Sequence, residues 1–279
     1  MRLRNTCSPT FRYWMATEVH VYGFSIAANV LLSFFPFLLV MVSLCRYVLH
    51  WRGAVDAIML ALHDYFPPEV ADFMDRNLSA SAHPMQIGSI FVLFFTANGV
   101  FEPLEVALNR AWGITEHRSF LKNQIISMGL IFVCGTLMLL SIVFTAANQQ
   151  MLAQSPWGKS VAGSILAIVV FKSAAIPITM FLLFLVYWLL PNRRLPWRNL
   201  IPVSIFVGLA LEALKYLNVL IWPYWREKLK GEYGPFINSV TIILWSFLAS
   251  MIVLAGAEWS ARRRLVAEPV QEKEVAAQC

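Results

Sequence analysis

The sequence predicts an all-α polytopic membrane protein: six transmembrane helices, both termini cytoplasmic, and an amphipathic helical hairpin in the first periplasmic loop. Three observations lead there. Hydrophobic residues fill 58% of the 279 positions and charged residues only 14%, where a soluble domain carries about a quarter charged residues. The apolar residues gather in runs near ~20 residues long, the length a helix needs to cross a ~30 Å hydrocarbon core. Lys and Arg flank these runs instead of covering one face.

The segment MRLRNTCSPT is basic but lacks a short apolar region followed by a small-residue cleavage site, so the first run, 21–45, is expected to be an uncleaved anchor. It contains Asn29 and Pro36, and Pro36 removes one backbone donor and should bend the helix. The second span, 87–106, carries Asn98 and, about a turn inside its cytoplasmic mouth, Glu102. If Glu102 faces inward it extends a polar route. The third is 125–147. The fourth, 161–190, is longer than the core is thick. Either it tilts and kinks near Pro177, or its first turns lie outside the core and leave Lys172 at the outer interface. The fifth, 200–221, holds Glu212 and Lys215, and the sixth is 236–257. Together these form one domain, 1–265, followed by a flexible cytoplasmic tail, 266–279.

Between the first two spans, Val55, Ile58, Met59, Leu62, Tyr65 and Phe66 repeat at helical spacing. Pro67-Pro68 interrupts, and Val70, Phe73, Met74 and Leu78 form a second stripe. This is a helical hairpin that either caps the bundle or docks a partner. Orientation follows from thirteen Lys and Arg on one side of the six spans against seven on the other, which places both tails in the cytoplasm. Tryptophan supports the same levels: Trp112, Trp188, Trp197 and Trp259 fall at one edge, Trp51, Trp157, Trp222 and Trp225 at the other. Arg193 and Arg194, and the run Arg262, Arg263 and Arg264, are positioned to hold anionic lipid heads. Membrane lipids are thus the expected partners.

Glu212 lies about 18 Å from Leu200 and about 15 Å from Trp222 along a helix, near mid-membrane. An ionised carboxylate there costs roughly 2.5–3.5 kcal/mol even on the lenient insertion scale. Lys215, three residues on, shares its face. Two readings stay open: a pair that fixes helix packing, or a polar path in which Glu212 changes partner during transport. Asn29 and Asn98 suit interhelical hydrogen bonds on the first reading and the path on the second.

The basic residues form no dense face, which argues against nucleic acid. His20, His50, His63, His83 and His117 are scattered, with no ligand-spaced pair, and no GxxxxGK[ST] loop occurs. No metal, cofactor, enzymatic activity or disulfide framework is therefore expected.

Four segments together carry a resemblance: LLSFFPFLLV (31–40), PLEVALNRAWGI (103–114), YWLLPNRRLPWRNLIP (187–202) and YGPFINSVTIILWSFLASMIVLAGAEWSA (233–261). In these the chain resembles the BrkB/YihY-type family of bacterial inner-membrane proteins, some once labelled ribonuclease BN. The resemblance implies six helices with both ends inside, in the inner membrane, and an envelope-related role. One departure is Phe236, Ile237 and Asn238, where smaller residues are expected after Tyr-Gly, so the last helix should start with different packing. The functional expectation is a transporter or translocator of an envelope-related substrate, lipid included. The alternative is a scaffold that binds an envelope-assembly protein through the hairpin.

Overall fold

The first long helix forms because nothing in its apolar run stops it. In the computed structural model, which describes residues 10–65, 72, 76, 87–116, 118–154 and 176–276, α1 spans Thr17–Ser43 and continues through Pro36. It widens into a π-turn, Leu44–Val48, and His50, at φ 49°, helps to reverse the chain. The next helix, α2 (Arg52–Tyr65), is amphipathic. It lays Ala54, Val55, Ile58 and Leu62 against Leu38, Met41, Val42 and Cys45 at the end of α1. The first half of the sequence hairpin therefore lies against a span, while 66–71 and the stripe at 73, 74 and 78 lie outside the described residues.

The remaining helices are α3 (Ile87–Ala111), α4 (Phe120–Gln154), α5 (Ile176–Leu189), α6 (Trp197–Tyr233) and α7 (Ile237–Ala276), with a 3-10 turn, Gly234–Phe236, before α7. Among the described residues no strand occurs. Three stretches are long and apolar enough to cross a membrane: Thr17–Tyr47, Trp197–Asn218 and Ile237–Arg262. Leu121–Leu137 and Ile176–Leu189 are shorter apolar helices.

The helices outrun the sequence spans. Hydropathy marks where lipid contact ends, whereas a helix ends only where its backbone is capped or broken. α6 passes 221 and stops at Gly234, which takes φ 50° and returns its N–H to the Lys230 carbonyl. α7 likewise continues to Ala276, so the expected tail from 266 is helical over most of its length. Phe236 is exposed in the turn between them.

Close approach at small residues sets the packing, as expected where apolar surface alone does not distinguish protein from lipid. α1 runs antiparallel to α3, with the Asn29 amide seated where a side chain on Gly99 would be. It also runs antiparallel to α7, where Gly23 faces Phe247 and Met251, and Phe24 stacks on Phe247 at 4.2 Å. α6 meets α7 where Val207 covers Gly256, and α5 enters the same contact through Tyr187 and Met180. The core of this half is Leu183, Tyr187, Leu200, Val203, Val207 and Leu254.

This packing gives the first test. A Cβ on Gly256 would collide with Val207 and lie 3.0 Å from the Tyr187 hydroxyl, whereas one on Gly129 would meet nothing within 4 Å. Gly256→Val is expected to lower the thermal midpoint of the detergent-solubilised protein, with about 1–3 kcal/mol of overpacking. Gly129→Ala should leave it unchanged or raise it, since alanine favours a helix by roughly 0.5–1 kcal/mol. Size-exclusion chromatography after graded heating reads both.

Candidate functional site

Two polar constellations stand out in a chain otherwise so apolar. The first is in the middle of α6. Lys215 pairs with Glu212 three residues before it, with side chains 23% and 11% exposed. The Lys215 ammonium also lies 5.1 Å from the centre of the Tyr216 ring. Helical i,i+3 spacing produces this pair without help from another helix, so each charge neutralises the other where water is scarce. A solvent-exposed ion pair is worth little, but removing one partner of a buried pair leaves an uncompensated charge costing about 3–5 kcal/mol.

Of the other sequence-derived path residues, Glu102 and Asn29 do not join it. Glu102 is exposed on α3, so it does not continue the route from Glu212. The buried acid on that turn is Glu105, one step round the helix. Asn29 donates to the Ser25 carbonyl of its own helix at 2.9 Å and packs on Gly99. The Asn98 side chain and all of Lys172 lie outside the described residues. Pro177 is exposed on α5, and the residues before Ile176, where a kink would show, lie outside the described ones.

The second constellation closes one end of the bundle. Arg118, in the connection between α3 and α4, donates to the carbonyls of Leu189 and Leu190 at 3.2 Å each and to that of Pro191. These are carbonyls left free where α5 stops, and a guanidinium fork suits them because it presents several donors at once. Asn109 adds a second tie: its Oδ1 accepts the Asn192 N–H at 2.9 Å, and its Nδ2 reaches Glu105 at 3.4 Å. Asn192 Nδ2 returns to the Glu116 carbonyl at 2.7 Å. Burial lowers the Arg118 pKa, and the Glu105 charge opposes that shift.

The same end gathers the chain termini of the bundle. Thr10 donates to Glu258 at 2.7 Å, and Arg262 pairs with that carboxylate from one turn on. Burial pushes the Tyr13 phenol up to about 12, with the Glu258 charge next in importance. Arg110 and Glu18 approach to 2.5 Å in the open, more than half exposed on both sides, a geometry in which solvent screens most of the attraction. Tyr187 donates to the Val253 carbonyl at 2.7 Å, tying α5 to α7. Arg193 and Arg194 are exposed on the α5–α6 connection, whereas Arg262 is engaged with Glu258. The side chains of Arg263 and Arg264 lie outside the described residues.

Sequence reasoning missed Asn109, Arg118, Tyr187 and Asn192 as site residues. The available signal was that Asn109 and Asn192 stand inside the two strings Leu-Asn-Arg-Ala-Trp-Gly and Leu-Pro-Asn-Arg-Arg. Polar residues in two distant apolar-edge motifs had reason to be partners.

Helices of this length and apolarity, holding an ion pair within one of them, define an integral membrane protein. The chain belongs to the family described as Virulence factor BrkB, whose model matches residues 10–278. It is 25% identical to a UPF0761 membrane protein of Acinetobacter baylyi over 89% of this chain and 59% of the relative. A second, from Psychrobacter, is 25% identical over 85% and 44% respectively, and one from Paraburkholderia xenovorans 26% identical over 72% and 46%. The chain thus spans about half the length of the curated relatives it matches. No solved structure matches it.

The junction carries its own test. Arg118→Ala strands the carbonyls at the end of α5 and is expected to cost about 1–3 kcal/mol, read as a lower thermal midpoint in detergent. Arg118→Lys should recover only part of the loss, because an ammonium cannot reproduce the fork. Asn109→Ala combined with Arg118→Ala should fall short of the sum of the single effects, because both act on one connection.

Proposed function

We propose that this protein is a six-helix inner-membrane transporter or translocator, with both termini cytoplasmic and no enzymatic activity, that moves an envelope-related amphiphile along a polar path inside the bundle. The observation that carries this reading is the Glu212–Lys215 pair of α6, its carboxylate buried and its ammonium partly buried within an apolar bundle. Ionisable groups held at membrane depth are expensive and are characteristic of substrate and ion pathways. A carboxylate with a mobile ammonium beside it can exchange that partner for a substrate charge and recover it afterwards. That gives a reversible step within the span.

The scaffold alternative, in which the outer hairpin docks an envelope-assembly protein, has less support. α2 spends its apolar face on the end of α1, leaving polar residues outward.

Reconstitution into vesicles decides between them. With fluorescent phospholipid in one leaflet and an impermeant quencher outside, the intact protein should accelerate lipid exchange over empty vesicles. Glu212→Gln should slow that rate roughly tenfold or more, the factor that about 1.4 kcal/mol of lost interaction in the rate-limiting step produces. The double variant Glu212→Gln, Lys215→Met, which leaves no stranded ammonium, should elute as the parent does and be equally slow. Equal rates with and without protein, or full activity in Glu212→Gln, would remove the transport reading.

A further inference from the structure

The inward stripe of α6 changes character at its centre. Leu200, Ser204, Val207, Leu211, Lys215, Asn218 and Trp222 recur at spacings of three or four, one face of a helix. Up to Leu211 this stripe is apolar apart from Ser204, whose hydroxyl is satisfied by the Leu200 carbonyl of its own helix. Beyond Leu211 every member is polar or carries a polar tip. The Oδ1 of Asn218 and the Nε1 of Trp222 are buried, yet meet no hydrogen-bond partner among the described residues. A third such atom, Oδ1 of Asn238, lies on α7. Because α6 and α7 run antiparallel from the Val207–Gly256 contact, Asn238 stands within about a turn of the height of Trp222.

Among the described residues the two directions from Glu212 are therefore unequal. Toward the Arg118 end, α6, α5 and α7 close on one another: Gly208 admits Met180, Gly256 admits Val207 and the Tyr187 hydroxyl, and Val203 and Tyr187 have no exposed surface. Toward the other end, three buried polar atoms with unmet valences follow one another over roughly 10 Å of helix axis. Buried polar atoms in native proteins are nearly always bonded, to protein or to internal water. Of the other buried side-chain oxygens without a hydrogen bond, one belongs to Glu212 itself, whose carboxylate faces the Lys215 ammonium, and those of Asn123 and Asn192 lie at the start of α4 and in the α5–α6 connection at the opposite end.

We propose that Lys215, Asn218, Trp222 and Asn238 line a hydrated half-channel, whose ligand is water and the protons it carries. It joins the Glu212–Lys215 pair to the face opposite the Arg118 junction and to that face alone. The assignment deepens the transport reading by giving its central carboxylate one-sided access in this conformation. Of the titratable groups along the path, α6 adds Tyr216, whose ring lies 5.1 Å from the Lys215 ammonium, and Lys172 lies outside the described residues. α7 has none between Ile237 and Ala257, and α5 contributes only Tyr187, whose hydroxyl is occupied by the Val253 carbonyl.

Cysteine accessibility tests this separately from transport. In the full chain with Cys7, Cys45, Cys134 and Cys279 replaced by serine or alanine, Asn218→Cys and Asn238→Cys are compared with Val203→Cys and Val207→Cys. The probe is a charged, membrane-impermeant methanethiosulfonate, applied to right-side-out and to inverted vesicles. It reacts with the thiolate, which forms where water reaches the sulfur. Both Asn positions should react roughly tenfold or more faster than the Val positions, from the outer face only, in variants that elute as the parent does. Reaction at either Asn position no faster than at the Val pair, or from the Arg118 face, overturns the half-channel. Should the labelling pattern hold while Glu212→Gln retains full lipid exchange, the half-channel stands and the transport reading falls.

Discussion

A charge pair inside an apolar helix fixes more than its own position. Glu212 cannot face acyl chains without a cost comparable to several hydrogen bonds, so α6 can take only rotations that turn this residue toward its neighbours. That constraint decides the rest of the helix. With Glu212 at the edge of the buried face, Leu200, Val203, Val207 and Gly208 turn inward, while Ile205, Phe206, Leu209 and Leu220 turn outward. Gly208 then meets α5 and Val207 meets Gly256 of α7. An apolar stripe alone would tolerate slippage, since lipid solvates leucine as well as protein does. The ion pair supplies the discrimination that hydrophobicity cannot.

The Arg118 junction performs the complementary task at one end. Helices in a bilayer satisfy their own backbones except at their last turns, and there α5 leaves carbonyls that water would otherwise solvate. Arg118 takes them, and Asn109 takes the N–H that follows in Asn192. The bonds run from one connection to another, so they fix the α3–α4 connection against the α5–α6 connection in a way that helix contacts do not. Thr10 and Glu258 tie the segment before α1 to the end of α7 at the same end. The connections that the distribution of Lys and Arg put on one side are thus joined to one another through side chains.

Hydropathy made the helices legible, because the period and length of apolar runs are direct consequences of what a bilayer solvates. α1, α6 and α7 begin within a few residues of where the sequence places them. Their ends were not legible: α6 reaches Tyr233 and α7 Ala276, because beyond the apolar limit only backbone capping stops a helix. The Glu212–Lys215 contact was readable since helical spacing alone brings the two together. Glu102 was misjudged for the opposite reason. Facing in or out depends on how α3 is rotated, and that is set by Gly99 against Asn29 and by Leu104, Ala107 and Leu108 in the core. The junction was illegible because its bonds join residues some seventy or more positions apart to backbone atoms. No periodicity announces a side chain that bonds to a distant main chain.

The length of α6 bears on how far any aqueous route must extend. Its 37 residues would make about 55 Å of helix, but only Trp197–Asn218 has the apolarity of a span. Past Asn218 the sequence turns to Trp222, Tyr224, Trp225, Arg226, Lys228 and Lys230, aromatic and charged side chains that belong at the headgroup level. Asn218 therefore lies near the edge of the hydrocarbon, and from there to Glu212 is only about 9 Å along the axis. In the other direction the distance from Glu212 to the start of α6 is about 22 Å, closed by Val203, Val207 and the glycine contacts. A carboxylate so placed is within reach of one aqueous phase by a few hydrogen-bonding steps and separated from the other by most of the apolar core. Transport in the proposed sense then requires the seal at Gly208 and Gly256 to loosen, since the ion pair is already close to the opposite side.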